Sequence, residues 1–258
     1  MTATALRNAP DETLQARIDL AAAYRATAKL NLHEGIDNHF TLMVPNSDTR
    51  FLTHTYGTHF SEMRASGLVE IDGEAMERNE GDAYWAERTA FFIHWSIHKA
   101  RPDARCIIHL HMPYATALCL LPEGKLEMSF QNAIRFHNKI AYVEEYDGIQ
   151  IVEEEGKLLA DAVADPSKRV IFHRHHGVIV LGETVADAFD DTYYLERACH
   201  IQHLAKTYGG QLKIVADDVA DRIGKQFDAQ YADREGYAQK HFDAWKRILE
   251  RDGEDFAS

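Results

Sequence analysis

Apolar residues recur along the chain with two different periods, which predict an alternation of strands and helices. Short apolar runs predict strands over residues 39–44, 50–53, 68–71, 106–111, 139–143, 170–173 and 178–181. Spacings of three and four residues predict a helix that opens at Asp11 and stops before Gly35, and others over 87–100, 114–121, 157–164, 184–208 and 217–249. The acidic run at 153–155 is expected in a solvated loop. Because strands and helices mix without a strict βαβ rhythm, the pattern indicates one layered α/β domain.

Composition and charge narrow the classes of partner. The chain has 258 residues, of which 45% are hydrophobic and 27% charged, and this balance excludes wholesale disorder. Lys and Arg number 28 against 41 Asp and Glu, which gives a formal net charge of −13. An acidic chain argues against a nucleic-acid partner, and no apolar run approaches the ~18–20 residues that would cross a membrane. The first eleven residues lack the apolar core of a secretory signal, and three scattered cysteines suit reduced thiols, so we expect a cytoplasmic protein.

Histidine is frequent, with 15 residues, and two of these stand one residue apart at the end of a predicted strand. Histidine is the commonest metal ligand and the usual proton shuttle near neutral pH. Alternate residues of a strand point to one face, so the imidazoles of His109 and His111 project together and can bind one metal ion. Leu110 between them points into the core.

A second group of histidines occupies residues 173–177, where three histidines precede Gly177. A third imidazole from this turn would complete a three-histidine site, which is the catalytic arrangement for zinc when a further position stays open. The alternative is a polar loop with histidines at the surface. His94 and His98 share one helical face, but no HExxH motif surrounds them, so we expect one in the core and one nearer the surface.

These motifs, taken in order, resemble the class II aldolase/adducin family over residues 15–206. The matching pieces lie at 38–41, 56–57, 66–69, 72–73, 92–94, 101–103, 108–111, 176–178 and 195–199. Each piece is short, and their order and spacing together carry the resemblance.

The resemblance implies a fold, a metal and an assembly. It implies one three-layer α/β/α domain with a mostly antiparallel central sheet over residues 11–210, between a flexible tail (1–10) and a C-terminal helical extension (211–258). One divalent metal ion per chain would be held by His109, His111 and His176, with zinc favoured over manganese or iron. The family's enzymes are commonly homotetramers that act on small oxygenated molecules.

The proton-transfer residue departs from the family pattern. Sugar-phosphate aldolases of the family carry a catalytic Glu four residues before the histidine that matches His94. That position is Ala90 here, and alanine cannot shuttle a proton. Glu87, about one helical turn earlier, is the fallback acid/base. His175 replaces an asparagine of the family and either acts as an acid/base or points to solvent.

The substrate-binding positions also depart from the pattern. The resemblance assigns Asn38, Gly57 and Arg88 to substrate binding. Asn38 stands where the family has a glycine of the phosphate loop, and asparagine hinders the close approach that glycine permits. Arg88 replaces a serine that helps to hold the phosphate, and it would either pair a substrate carboxylate or face solvent. A small, non-phosphorylated substrate is therefore favoured.

Three functions stay open at this point. The favoured one is a metal-dependent lyase that performs retro-aldol cleavage or decarboxylation of a small hydroxy- or keto-acid through a metal-bound enolate. The second is a non-heme Fe(II) oxygenase that uses the same three histidines. The third is a non-catalytic interaction protein of the adducin type.

Overall fold

A seven-stranded sheet forms the centre of the computed structural model, within the described residues 11–78, 88–146, 148, 153–232 and 236–258. The strands are β1 (His39–Met43), β2 (Arg50–His54), β3 (Leu68–Asp72), β4 (Cys106–Leu110), β5 (Ile140–Val143), β6 (Val170–His173) and β7 (Gly177–Gly182). Their order across the sheet is β3-β2-β1-β4-β7-β6-β5. Among these pairs β5 and β6 run parallel and the others antiparallel. The mostly antiparallel sheet is therefore confirmed.

Helices cover both faces of this sheet. They are α1 (Glu12–Lys29), α2 (Gly73–Glu77), α3 (Arg88–Ala100), α4 (Pro113–Cys119), α5 (Gln131–Ile134), α6 (Glu153–Ala162), α7 (Val185–Thr207), α8 (Asp217–Ala232) and α9 (Tyr237–Arg251). The predicted start of α1 is correct, because the Asp11 carboxylate accepts hydrogen bonds from the first free backbone N–H groups. None of the helices in the described part of the chain is both long enough and apolar enough to cross a bilayer.

Alternation along the central strands divides the core into two layers. Ile108 and Leu110 pack with residues of α1, α4 and α7 on one face of the sheet. Ile107, on the opposite face, packs with residues of α3 and α6. Since side chains alternate along a strand, His109 shares the face of Ile107. The α/β/α layering is confirmed, and it places the chemistry of β4 on the α3 side.

Two predicted elements need correction. The acidic run at 153–155 is the first turn of α6 and not a loop. Carboxylates are favourable there because a helix N-terminus carries partial positive charge. The helical pattern over 217–249 contains two helices, α8 and α9.

Candidate metal centre

Strand pairing brings the predicted histidines to one edge of the sheet. In the β1–β4 pair His39 lies opposite His109, and in the β4–β7 pair His109 lies opposite Ile179. His111 follows the end of β4. His176 lies in the tight connection between β6 and β7, two antiparallel strands. Residues about 65 positions apart in the sequence therefore meet where β4 ends.

The three predicted metal ligands converge. One ring nitrogen from each of His109, His111 and His176 lies within 4.8 Å of the other two. The Nε2 atoms of His109 and His111 are 3.1 Å apart. Two nitrogens that bind one tetrahedral zinc ion at ~2.0–2.1 Å would lie about 3.3 Å apart. The observed distance of 3.1 Å between the two Nε2 atoms is close to that value.

Hydrogen-bond partners assign the tautomer of each of the three rings. His109 places Nδ1 at 3.1 Å from the carbonyl oxygen of Val178, and His111 places Nδ1 at 2.6 Å from a carboxylate oxygen of Glu34. These oxygens only accept, so each Nδ1 carries a proton and donates. In a neutral imidazole the other nitrogen, Nε2, is then bare.

His176 is oriented by another histidine. The ring of His173 donates from Nε2 to the Glu145 carbonyl oxygen at 2.9 Å, which leaves its Nδ1 as an acceptor. The Nδ1 of His176 lies 3.3 Å from that atom and donates to it. The Nε2 of His176 is therefore bare as well, so all three rings offer the same nitrogen.

This donor set fits a divalent metal. Bare lone pairs on His109 and His111 that face one another at 3.1 Å repel unless a cation lies between them. Burial and the neighbouring histidines lower the pKa of His109 well below its ordinary value and lower the pKa of His176 to about 3. Both rings are thus neutral near pH 7, which is the form that ligates a metal.

Gly177 is needed for the close contact between the two ligand segments. A Cβ atom at this position would lie 2.6 Å from Cδ2 of His111 and 2.7 Å from the carbonyl oxygen of Leu110. Real Cβ atoms essentially never come so close to other atoms. The glycine therefore permits the His111 ring to lie against the turn that carries His176.

Two of the three histidines, His111 and His176, border an open cavity of about 460 Å³. Asn38 and His175 line it, and so does Ala90 at the position of the missing glutamate. The Asn38 side chain is fully buried, and its oxygen accepts from the Glu34 N–H at 2.7 Å. His175 is exposed and has a positive φ of 57°.

The other three predicted site residues are not among the described residues that line the cavity. Gly57 has a φ of +92° and follows Tyr56, which lines the cavity. Arg88 begins α3, and only its backbone is described. Glu87 lies outside the described residues, so its role as a fallback acid/base stays a prediction.

Several cavity residues escaped the sequence interpretation. His39, His54, Glu34 and Glu155 line the cavity, although each of them is isolated in the sequence from the metal motifs. His54 is 5% exposed, and its Nε2 has no hydrogen-bond partner within the described part of the chain. Burial lowers the pKa of His54 to about 4. The unusual number of histidines could have indicated His39 and His54, whereas no signal in the sequence indicated the two glutamates.

A chain of polar side chains extends from the cavity wall into the layer between β1 and α3. His39 Nδ1 lies 2.6 Å from Nε2 of His94, and His94 Nδ1 lies 2.6 Å from the hydroxyl of Thr41. That hydroxyl is 2.8 Å from Nε2 of His98, whose Nδ1 lies 2.8 Å from the Ala104 carbonyl oxygen. Both α3 histidines are buried, so the expectation that one lies nearer the surface is wrong. The hydrogen bonds of this series satisfy the ring nitrogens of both histidines, which makes their burial tolerable.

Comparison with known proteins identifies relatives of the whole domain. The family model described as class II aldolase and adducin N-terminal domain matches residues 18–203. A protein of the aldolase class 2 group from Caulobacter vibrioides is 33% identical over 216 residues, which cover 82% of this chain and 81% of that protein. An adducin-related protein of Schizosaccharomyces pombe is 31% identical over 249 residues, which cover 93% of this chain and 75% of that protein. A crystal structure of an aldolase II superfamily protein from Pseudomonas syringae is 30% identical, covers 100% of both chains and superposes with a TM-score of 0.84.

Proposed function

Because the chain belongs to the family of class II aldolase and adducin N-terminal domains, we propose that it is a metal-dependent carbon–carbon lyase. We propose that it performs retro-aldol cleavage or decarboxylation of a small, non-phosphorylated hydroxy- or keto-acid. The observation that carries the proposal is the convergence of one ring nitrogen from each of His109, His111 and His176, in rings whose hydrogen bonds leave Nε2 bare. A purely structural domain has no need to hold three unprotonated nitrogens together.

The ligand residues are proposed to hold one divalent metal ion, with zinc favoured. When bound, such an ion supplies Lewis acidity, which stabilises negative charge that develops on a substrate oxygen. Glu34 and His173 position the rings of His111 and His176 through their Nδ1–H groups. Hydrogen bonds of this kind fix the ring orientation of metal-binding histidines and raise their basicity.

The cavity walls favour a substrate that carries little negative charge. Among its described lining residues are the carboxylates of Glu34, Asp37 and Glu155, and no Lys or Arg occurs in that set. A phosphate dianion would face these carboxylates without a Lys or Arg side chain to pair with it, whereas a single carboxylate brings less charge. The unpartnered Nε2 of His54 offers a polar contact to a substrate. We propose that Asn38 shapes the wall beside it, since both functional ends of its amide are already bonded within the chain.

The proposal extends to the oligomeric state of the protein and to its cellular compartment. We propose a homotetramer, as is common among the family's enzymes, and a cytoplasmic protein. All three cysteines are buried free thiols, which suits a reducing compartment.

Elemental analysis tests the metal requirement. Untagged protein purified without chelator is compared with the His109→Ala, His111→Ala double variant and with the His203→Ala control. His203 is exposed on α7, so its loss should leave the metal content unchanged. We expect about one zinc or manganese ion per chain in the parent and the control, and a loss of the metal in the double variant.

The reaction is then tested with a panel of hydroxy- and keto-acids. Retro-aldol cleavage releases an aldehyde or ketone, and decarboxylation releases carbon dioxide, so proton NMR and a carbonate assay distinguish them. Iron in place of zinc, with oxygen consumed, would replace the lyase by an oxygenase. The absence of metal in every sample, including after reconstitution, would refute the catalytic proposal and favour an adducin-like role.

A further inference from the structure

The hydrogen-bond chain from the cavity wall to the protein interior has a fixed direction. Its inner end is the carbonyl oxygen of Ala104, which can only accept, so Nδ1 of His98 carries a proton and donates. In the neutral ring Nε2 of His98 is then bare and accepts from the hydroxyl of Thr41 at 2.8 Å. The Thr41 hydroxyl has one proton, which it donates to His98 in this hydrogen bond.

The outer half of the chain follows from that assignment. Since the Thr41 hydroxyl can now only accept from His94, Nδ1 of His94 is the protonated nitrogen, and its Nε2 is bare. Nδ1 of His39 lies 2.6 Å from that bare atom and must donate to it. The Nε2 of His39 is therefore left unprotonated. Four successive hydrogen bonds thus fix the tautomer of His39, which lies in the cavity wall.

His39 does not belong to the metal triad. In the described chain the three converging nitrogens come from His109, His111 and His176, although the His39 ring lies against His109 with centroids 4.7 Å apart. The ring also lines the cavity, as does Ala90. The ring that carries this bare nitrogen thus lies against the metal triad, in a residue of the cavity wall from which the expected glutamate is missing.

We propose that His39 is the catalytic proton acceptor of this site, and that Thr41, His94 and His98 are positioning residues that hold it as the Nδ1–H tautomer. The proposal rests on the lyase function. In a retro-aldol cleavage Nε2 of His39 takes the proton of the substrate hydroxyl, and the O–H electron pair becomes the new carbonyl bond. The electron pair of the broken C–C bond stays on the departing carbon. His39 then returns the same proton to that carbon, which restores the starting state.

The tautomers are measured directly in the protein without substrate. Long-range proton–nitrogen NMR spectra of uniformly ¹⁵N-labelled protein, both metal-free and zinc-loaded, distinguish Nδ1–H from Nε2–H imidazoles. The His39 signals are assigned by their loss in His39→Gln. We expect the Nδ1–H form of His39 in both samples, with zinc shifting the Nε2 signals of the triad and not that of His39. An Nε2–H form of His39, or a zinc-dependent shift of its Nε2 as large as the shifts of the triad, would overturn the proposal.

Two substitutions at Thr41 separate positioning from folding. In Thr41→Val the acceptor for His94 is lost, so the His94 proton can move to Nε2 and force the proton of His39 onto its own Nε2. Thr41→Ser keeps the hydroxyl and should keep the parent tautomer. If both variants give the parent tautomer of His39, the relay does not set it and the positioning role is refuted.

Kinetics with the substrate from the screen complete the test. We expect His39→Gln to lower kcat by ~10²–10⁴ with KM and zinc content little changed. Thr41→Val should lower kcat by at least about tenfold, and Thr41→Ser should restore it. A kcat loss confined to Glu155→Gln would assign proton transfer to that carboxylate instead.

The two proposals fail in different ways. Bound zinc and turnover that survive in His39→Gln would refute the proton acceptor and leave the lyase intact. Parent protein that binds no zinc and turns over no acid would refute the lyase, and with it the catalytic role of His39, whatever its tautomer.

Discussion

Gly177→Ala tests whether the close contact at the end of β4 builds the metal centre. The added Cβ would lie 2.6 Å from Cδ2 of His111, about 0.8 Å short of the 3.4 Å at which ordinary contact begins. It would also lie 2.7 Å from the backbone oxygen of Leu110. The backbone cannot rotate away as a flexible side chain can, so the His111 ring and the turn with His176 must move apart.

The size of this displacement sets the expected loss of affinity. Metal–ligand distances tolerate shifts of only about 0.2 Å, and the required movement is several times larger. Misplacing one of three ligands should weaken zinc binding by about 100-fold, equivalent to about 2.7 kcal/mol. Overpacking in a buried contact should also lower the free energy of unfolding by about 1–3 kcal/mol in the metal-free protein.

Zinc affinity is measured by competition with a chromophoric chelator, and stability by urea unfolding in excess chelator. Gly67→Ala is the matched control, because a Cβ at that position meets no atom within 4 Å. The control should bind zinc like the parent. If Gly177→Ala binds zinc within threefold of the parent, the close contact does not govern the geometry of the site, and the reasoning is wrong.

Three further changes test other parts of the structure. Burial lowers the pKa of His98 to about 3, so the unfolded chain takes up a proton at a higher pH than the folded chain does. The free energy of unfolding should therefore fall as pH drops from about 6.5 towards 3, by up to ~1.4 kcal/mol per pH unit. In urea titrations with chelator His98→Gln should flatten this slope, and an unchanged slope contradicts the assignment. Arg101→Lys should lower the free energy of unfolding in urea by about 2–4 kcal/mol, because the guanidinium donates to Asp103 and to backbone carbonyls beyond α6. The control Arg50→Lys, at an exposed ion pair, should lower it by less than about 1 kcal/mol. Equal losses would refute this explanation. Glu34→Gln should weaken zinc binding by about tenfold in chelator competition, since the neutral amide is a poorer acceptor for Nδ1–H of His111, and unchanged affinity would remove Glu34 from the site.

Local pattern predicted much of the fold and the core of the candidate site. The short apolar runs correctly predicted all seven strands of the described sheet, and alternation placed His109 and Leu110 on opposite faces. The motif at His109 and His111 and the turn before Gly177 were recognisable because each group of residues is contiguous. Their convergence required only that β4 and β7 be neighbours.

The rest of the site depends on contacts that no local pattern encodes. His39 reaches His94 because β1 packs against α3, across 55 positions of the sequence. His94 and His98 were interpreted from helical spacing alone, which gives the shared face but not the partner opposite it. Glu155 was misassigned because a run of three acids is common in loops, while its position in the first turn of α6 follows from the packing of that helix beside the cavity.

The alternation within β1 ties the cavity wall and the packing of the core to one pairing register. His39 and Thr41 face α3, while Phe40 packs in the opposite layer with Tyr24 of α1. A slip of one residue in the pairing of β1 would exchange these faces, burying imidazole in the apolar layer and removing it from the cavity. Misregistered chains would therefore lose the cavity wall and the packing of the core in one event. Since the metal triad lies on β4 and in the β6–β7 turn, metal content alone would not count such chains, whereas turnover that depends on His39 would.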